Sequence, residues 1–598
     1  MPEYSAPLQD ILFTIEEIGG LGELRALPAF EDAAPDLVAA VLEEAARFAG
    51  GVLSPLNAVG DRHGVRWSDG GEVATAPGFR EAFDQFRANG WHAMPARPEL
   101  GGQGLPVLVS TAVAEMWKSA NLAFSLCQML TLGAVEAIAH HGSAALKATY
   151  LPPLAEGRWT GTMNLTEPQA GSDLAALRAR AVPAHDGKHG DHYRITGTKI
   201  FITWGEHDLA ENIVHLVLAR LPGAPEGVRG ISLFLVPKFL PNADGSLGAR
   251  NDLVCASVEH KLGIHASPTA VMGFGDREGA IGWLVGEPHQ GLACMFTMMN
   301  HARLNVGLEG VAISERAYQQ ARAYARERVQ GRTLTGSPAI IGHPDVRRML
   351  LDMKARTEAQ RALAYFAAGE TDRAAAHTDA AQRARSQALV DLLIPIVKGW
   401  CTEGAQGVAG TAVQVHGGVG FIEETGAAQF VRDARITTIY EGTTGIQAND
   451  LVGRKVQRDG GAAVRALQER IAADAARLRA AGGELAPLGA ALEGALAALA
   501  DATGWLLGHG AAHPAEAAAG AVPFLHLTGT VAGGWLLARG AEAAARRIAE
   551  GEADRGFLSA RIATARHFAA HELVHAGALR DVVLHGAATT LALADADF

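Results

Sequence analysis

A chain of 598 residues exceeds what a single hydrophobic core organises, so its length points to about three to five domains. With 48% hydrophobic and 19% charged residues, the composition is that of an ordinary globular protein and excludes a largely disordered one. The balance of 52 Lys+Arg against 64 Asp+Glu, a net charge of −12, excludes nucleic-acid binding as the main business of the molecule but leaves room for a local basic pocket that holds a pyrophosphate.

Residues 1–35 form an N-terminal extension of apolar runs around Gly19-Gly20-Leu21-Gly22, and Met1-Pro2-Glu3-Tyr4 lacks the basic start and apolar run of an export signal. From Asp36 the spacing of Leu37, Val38, Val41, Leu42, Ala45 and Ala46 predicts a helix with one apolar stripe. Helical periodicity continues through residues 36–158, broken by a Gly- and Pro-rich loop from Pro95 to Pro106. The period changes over residues 159–285. Short β-rich runs follow (Tyr193–Thr196, Ile200–Thr203, Ile213–Leu218, Ile231–Val236, Ala270–Phe274), which predict a compact antiparallel β-domain.

Residues 286–455 return to long amphipathic stretches, among them Val311–Gln330 and Val346–Ala368, as expected of a helical bundle. Residues 456–598 are alanine-rich and patterned for an additional helical domain, interrupted at Gly482-Gly483, Pro514 and Gly551. Within it, Ala517–Ala538 carries no charge over a length that spans a bilayer. Pro523, His526, two threonines and four glycines make it a poor lipid helix, so a buried or surface-docking helix pair is expected and no transmembrane segment. The scattered cysteines Cys127, Cys255, Cys294 and Cys401 have no CxxC spacing and read as small buried hydrophobes in a reducing, cytoplasmic setting.

The run Ile439-Tyr440-Glu441-Gly442-Thr443-Thr444-Gly445-Ile446-Gln447 sets one carboxylate beside an aromatic ring and a glycine in an otherwise apolar neighbourhood. Burial there disfavours the charged form, raises the pKa and suits Glu441 to act as a general base. The alternative is a turn whose Glu caps a following helix. A second segment, Leu165-Thr166-Glu167-Pro168-Gln169-Ala170-Gly171-Ser172-Asp173, is followed by Gly197-Thr198-Lys199-Ile200-Phe201-Ile202-Thr203. Together with Tyr440-Glu441-Gly442-Thr443, these ordered segments resemble the signatures of the acyl-CoA dehydrogenase family, over roughly residues 36–455; the helices beyond are similar to those of a long subgroup.

The resemblance implies an α+β multidomain fold with an N-terminal helical domain, a middle antiparallel β-domain, a C-terminal four-helix bundle and an extra C-terminal helical domain. It implies FAD as cofactor and Glu441 as the base that removes a proton α to a thioester carbonyl. The Glu441 N–H and a ribityl hydroxyl would hold the thioester oxygen, with the β-hydrogen passing as hydride to the flavin. Thr166 and Thr203 then partner the flavin ring and Ser172 the phosphates, while Phe201 stands where tryptophan is usual and keeps an aromatic face without the indole donor. Arg328, Gln414 and Gly418 resemble the elements that hold the pyrophosphate and adenosine of a neighbouring subunit's FAD, which makes a homodimer the minimum assembly.

Thr443 follows the base within the motif and counts among the cofactor contacts; Gly445 departs from the family's common glutamine. Asn300 and Arg303 resemble the start of the CoA-binding helix, with Tyr440 near the thioester; Arg303 pairing with a carboxylate on a solvated face is the plainer alternative. The acyl pocket is expected past Ser125–Leu132, where Gln128 and Thr131 add polarity suited to a short or heteroatom-bearing chain.

Two signals compete. His571-Glu572-Leu573-Val574-His575 fits HExxH with both histidines on one helical face, but Gly577 falls one position early for the longer metzincin pattern and no downstream glutamate supplies a third ligand, so no metal is expected. Gly101-Gly102-Gln103-Gly104 and Gly417-Gly418-Val419-Gly420 do not follow a strand in a βαβ unit, so they carry no dinucleotide fingerprint. The expected activity is FAD-dependent conversion of an acyl-CoA to trans-2-enoyl-CoA with an electron-transfer flavoprotein as acceptor. The alternatives are a flavin-holding scaffold without turnover, or an oxidase or monooxygenase on the same fold.

Overall fold

The computed structural model describes residues 4–94, 96 and 98–598, so the first three residues of the N-terminal extension and two positions of the loop expected at Pro95–Pro106 lie outside the described residues. Two compact units form. One comprises Met1–Ala46, Pro106–Ser119 and Arg303–Phe598, the other Arg47–Leu105 and Ala120–Ala302.

The second unit is built on an eight-stranded sheet. Its order is Leu253–Val258, Thr269–Phe274, Gly190–Thr203, Ala280–Val285, Ile231–Pro237, Asn212–Arg220, Trp159–Asn164, with Arg180–Asp186 pairing beside Gly190–Thr203. Val/Ile/Leu runs such as Ile231–Pro237, buried at every position, make its core. The two runs read separately around Gly197 are one 14-residue strand, Gly190–Thr203, because glycine at φ 145 carries the chain through a bend that ends neither half. The sheet is antiparallel except at Trp159–Asn164, which runs parallel to Asn212–Arg220, and at a single parallel bridge between Arg180 and Arg220. The intervening strands provide the long crossover that parallel pairing requires. A Cβ on Gly161 would lie 2.4 Å from Ala134 Cβ, so glycine there lets Trp159–Asn164 approach the buried helix Leu122–His141 closely.

In the first unit the helices Gly291–Glu327 (whose first turns belong to the other unit), Pro344–Ala376 and Ala380–His416 are joined by the shorter Ala427–Thr437. The predicted helix at Asp36 spans Pro35–Phe48, with Val38, Leu42 and Ala45 buried but Leu37 turned to solvent. At the centre of the bundle Arg361 donates to Glu115 through Nε (2.9 Å) and Nη2 (2.6 Å) and to Glu315 through Nη2 (2.7 Å), while the Tyr365 hydroxyl donates to Glu115 at 2.8 Å. All four side chains are buried.

The added C-terminal helices dock on this bundle. Ala521–Ala549 packs against Pro344–Ala376, Ala380–His416 and Arg555–His571. The expected helix pair at Ala517–Ala538 is a short turn of helix, Pro514–Ala519, and then this one continuous helix. Its glycines have a packing reason: Cβ atoms on Gly529 and Gly533 would lie 2.3 and 2.6 Å from the Trp400 ring. Among the described residues three helices are long and apolar enough to cross a membrane, Leu122–His141, Ala486–Gly510 and Ala521–Ala549, and their apolar windows are 83%, 39% and 83% buried within the fold.

Candidate active site

The helix Ala427–Thr437 ends two residues before Ile439, and the chain then turns through Tyr440-Glu441-Gly442. Glu441 takes φ 56 and Gly442 φ 89. A left-handed non-glycine residue costs about 1–2 kcal/mol, so the turn persists only because its surroundings determine it. The Lys398 ammonium donates to the Gly442 carbonyl at 2.7 Å, and the buried Gln447 amide donates to the carbonyls of Glu441 (3.1 Å) and Gly442 (3.2 Å). Thr444 anchors the far side, its hydroxyl donating to Glu403 at 2.6 Å. The helix that follows, Thr444–Asn449, is capped by the Thr443 hydroxyl, which accepts from the Ile446 N–H at 3.3 Å. Helix capping thus belongs to Thr443, and the Glu441 carboxylate is left for other work.

The surroundings of Glu441 are more charged than the apolar neighbourhood read from the sequence. Burial pushes its carboxyl up to about 7, against the pull of Arg303 and Lys398. Both cations come from long helices distant in sequence, which is why the local motif does not show them. Gly307 and Gly310 bring the helices together: Cβ atoms there would lie 2.5 Å from Val397 Cγ1 and from the Cys401 carbonyl oxygen. Arg303 is buried, with Nη1 3.7 Å from Asp450 Oδ2, rather than on a solvated face. The Tyr440 hydroxyl donates to Glu309. Glu309 is fully buried and is pushed up to about 7 by burial, with Lys118 and Tyr440 pulling it down and Glu441 pushing it further up. Burial lowers Lys398 and Lys118 each to about 8. Sequence reasoning missed Glu309, Lys118 and Lys398; a buried charge on an otherwise apolar helical face is the signal that marks such positions.

In the β-sheet unit, Thr166, Phe201 and Thr203 gather at one end of the sheet. The Thr166 carbonyl accepts from the Ile200 N–H at 2.9 Å, joining the first motif to the strand that carries the other two residues. The join is fixed by a pair the sequence reading passed over: Lys199 Nζ donates to Glu167 at 2.8 Å and to the Leu165 carbonyl at 2.9 Å. The other Glu167 oxygen accepts from the Arg178 N–H at 2.7 Å. Both side chains are buried. Phe201 sits at φ 60 with 57% of its surface exposed, so strain is spent on turning an aromatic ring outward. Ser172 lies on an exposed bend next to Asp173, whose carboxylate accepts from the Ala175 N–H at 2.9 Å.

Arg328 follows the last turn of Gly291–Glu327, with its carbonyl tied to the Ile340 N–H at 2.7 Å and its side chain exposed. Gln414 is exposed near the end of Ala380–His416, and Gly418 lies in the 3₁₀ turn Gly417–Phe421 with no atom within 4 Å of where a Cβ would stand. A Tyr324–His416 ring stack at 4.5 Å holds the two helix ends together beneath them. Asn300 is exposed one turn before Arg303 on the same helix. The polarity expected at Ser125–Leu132 is used inside the fold: Ser125 donates to Leu122 O (2.8 Å), Gln128 to Trp91 O (3.3 Å) and Thr131 to Cys127 O (2.8 Å). All four cysteines are free and buried.

The HExxH run is not one helical face. The helix Arg555–His571 ends at its first histidine, and Leu573–His575 is a separate 3₁₀ turn. Glu572 pairs with Arg356 at 2.8 Å, and His571 stacks on His567, 4.0 Å between centroids.

Each unit by itself carries groups of a kind that a flavin dinucleotide uses: in the sheet unit an outward aromatic ring beside threonines, and in the helical unit an exposed arginine, amide and glycine turn. Residues 39–158, 162–276 and 289–456 match the N-terminal, middle and C-terminal domains of acyl-CoA dehydrogenase, and residues 465–594 match the acetyl-CoA dehydrogenase C-terminal-like domain. The 3-methylmercaptopropionyl-CoA dehydrogenase of Ruegeria pomeroyi is 52% identical over 579 residues, 96% of this chain and 97% of that protein. The broad-specificity linear acyl-CoA dehydrogenase FadE5 of Mycobacterium tuberculosis is 35% identical over 98% of both chains. Among solved structures, Caenorhabditis elegans ACDH-11 superposes with a TM-score of 0.76 at 20% identity, covering 98% of this chain and 96% of its own. The chain therefore belongs to the acyl-CoA dehydrogenase family, the FAD-dependent oxidoreductases of acyl-CoA thioesters.

Proposed function

We propose that Glu441 is the base that removes the proton α to the thioester carbonyl of a short acyl-CoA, giving the trans-2-enoyl-CoA. The observation that carries this reading is a single carboxyl on a braced, left-handed turn, pushed up to about 7, where a base both exists in its charged form and draws a proton strongly near neutral pH. FAD, when bound, supplies the acceptor for the β-hydrogen. Thr166 and Thr203 would hold its ring through hydroxyl and backbone groups, Phe201 would lie against it, and Ser172 would donate to phosphate. Arg303 would hold the substrate end nearest Glu441, with Asn300 toward CoA and Tyr440 lining the thioester side.

The short chain is favoured by the relative at 52% identity, named for a methylthio-propionyl thioester. The test is anaerobic flavin bleaching across straight-chain acyl-CoAs from propionyl to palmitoyl with the 3-methylthio analogue included. Fastest reduction is expected for the shortest thioesters and the analogue. A scaffold without turnover would show no bleaching with any of them, and fastest bleaching by palmitoyl-CoA would remove the short-chain assignment.

Arg328, Gln414 and Gly418 would hold the pyrophosphate and adenosine of a partner subunit's FAD; their exposure, with no side-chain hydrogen bond among the described residues, supports that role. Arg328→Ala is then expected to weaken FAD retention about tenfold and to lower dimer content together, read by flavin absorbance after gel filtration with light scattering. Loss of neither would show the bridging arrangement to be wrong. An electron-transfer flavoprotein as acceptor and a cytosolic location, consistent with four free thiols, complete the reading.

A further inference from the structure

We propose that Lys398 is a positioning residue for the base: its ammonium braces the strained turn that presents Glu441 and, held at the carbonyl of the next residue, adds a positive charge to that turn. The inference rests on Glu441 being the base. Lys398 is fully buried on the helix Ala380–His416, three residues after the helix-interior Pro395, and a buried ammonium is retained only where it has partners. Its partner in the fold is the carbonyl of Gly442, at 2.7 Å, the residue directly after the base. Gln447 supplies the second donor to the same carbonyl, at 3.2 Å, and binds the Glu441 carbonyl as well. Without these donors the Glu441 and Gly442 carbonyls would lose the hydrogen bonds that hold the turn in its strained conformation at φ 56.

The second role is electrostatic. Arg303 and then Lys398 pull the Glu441 carboxyl down, while the other charged groups around the turn act on Lys398, Tyr440 or Glu309. Arg303 and Glu309 stand on Gly291–Glu327, Lys398 and Glu403 on Ala380–His416, and Asp433 on Ala427–Thr437. Lys118 on Val107–Ala120 faces Glu309, and Asp450 and Arg454 face Arg303. Arg303 exerts the larger pull on Glu441 and is shared with Asp450, whereas Tyr440 and Lys118 act on Glu309. Lys398 has Glu441 as its largest electrostatic partner, ahead of Glu309 and Glu403. The sign follows: a cation favours the carboxylate, so it draws the base down against the rise that burial imposes, and its removal moves the charged form of Glu441 to higher pH.

Three substitutions separate the roles. Lys398→Arg keeps the charge, Lys398→Gln keeps a donor without charge, and Lys398→Met keeps only the shape. Each is read by the pH dependence of anaerobic flavin reduction under saturating acyl-CoA, with Glu441→Gln in parallel. The ascending limb is expected to move up by about one pH unit in the Gln and Met variants and to stay in place in the Arg variant. On the plateau above it, the Met variant is expected to be about tenfold slower than the Gln variant, which retains a donor for Gly442. A limb at the wild-type position in the Gln and Met variants would overturn the electrostatic role, and equal plateaus would overturn the brace. Should the Met variant fail to hold flavin, the limb of the Gln variant alone decides the electrostatic role, and its plateau, at the wild-type rate if a neutral donor suffices and well below it if not, decides the brace. If instead Glu441→Gln reduces flavin at the wild-type rate, the assignment of the base fails, a result distinct from either.

Discussion

Replacing Glu441 by glutamine is expected to slow anaerobic flavin reduction on the order of 10³-fold while leaving acyl-CoA affinity within a few-fold of wild type. Glutamine keeps the shape and the backbone at φ 56, where any side chain pays the same strain, so Lys398 and Gln447 still brace the turn. What is lost is the basic oxygen. In the unaltered protein the rate should rise with pH, since the base works only as carboxylate: half is available near pH 7, where burial has placed it, and nearly all above pH 8. The glutamine variant should show no such limb. Wild-type rates in that variant, measured by stopped-flow absorbance of the flavin, would remove Glu441 as base.

The largest structural effect is expected at Arg361. Its guanidinium is buried against Glu115 and Glu315, with Tyr365 closing the cluster. Arg361→Met leaves two carboxylates in the bundle interior without their cation. Breaking a buried pair from one side costs about 3–5 kcal/mol, because the remaining charge keeps its desolvation penalty. The midpoint of thermal unfolding should fall by several degrees, and adding Glu115→Gln should recover part of that loss, since the second change removes one of the stranded charges. A midpoint unchanged by Arg361→Met would mean that water or a shifted side chain already compensates these charges. The cluster ties Val107–Ala120 to Gly291–Glu327 and Pro344–Ala376, and Gly291–Glu327 also carries Arg303 and Glu309.

The structure changes how several motif residues are understood. Thr443 follows Glu441 closely in sequence, yet its hydroxyl caps the next helix at 3.3 Å, a local task that the Ser/Thr preference at helix starts would have suggested. Glu167 and Lys199 sit inside two of the recognised segments and bind each other at 2.8 Å, so part of what makes those segments distinctive is the joint between them rather than contact with a ligand. Ser125, Gln128 and Thr131 show the opposite hazard. Polar residues in a buried helix resemble pocket lining, but a hydroxyl that can reach the carbonyl one turn back satisfies itself there.

Two kinds of information were legible without coordinates. Periodicity and turn residues marked the order of helices, strands and further helices, because a half-buried helix or strand must repeat its apolar positions at its own period. The local motifs singled out Glu441, Thr166, Thr203 and Phe201 as candidates, because such signatures hold particular residues at a fixed short spacing. Only the tertiary structure decided what surrounds them. Arg303, Glu309 and Lys398 reach the Glu441 turn from positions more than forty residues away in sequence, over glycines at 307 and 310 whose value lies in the partner they admit. Likewise the glycines at 529 and 533, read in isolation as unfavourable for a membrane, are the groove for Trp400. A spacing rule registers neighbours along the chain, whereas the pKa of a buried carboxyl and the room for a ring depend on neighbours in space.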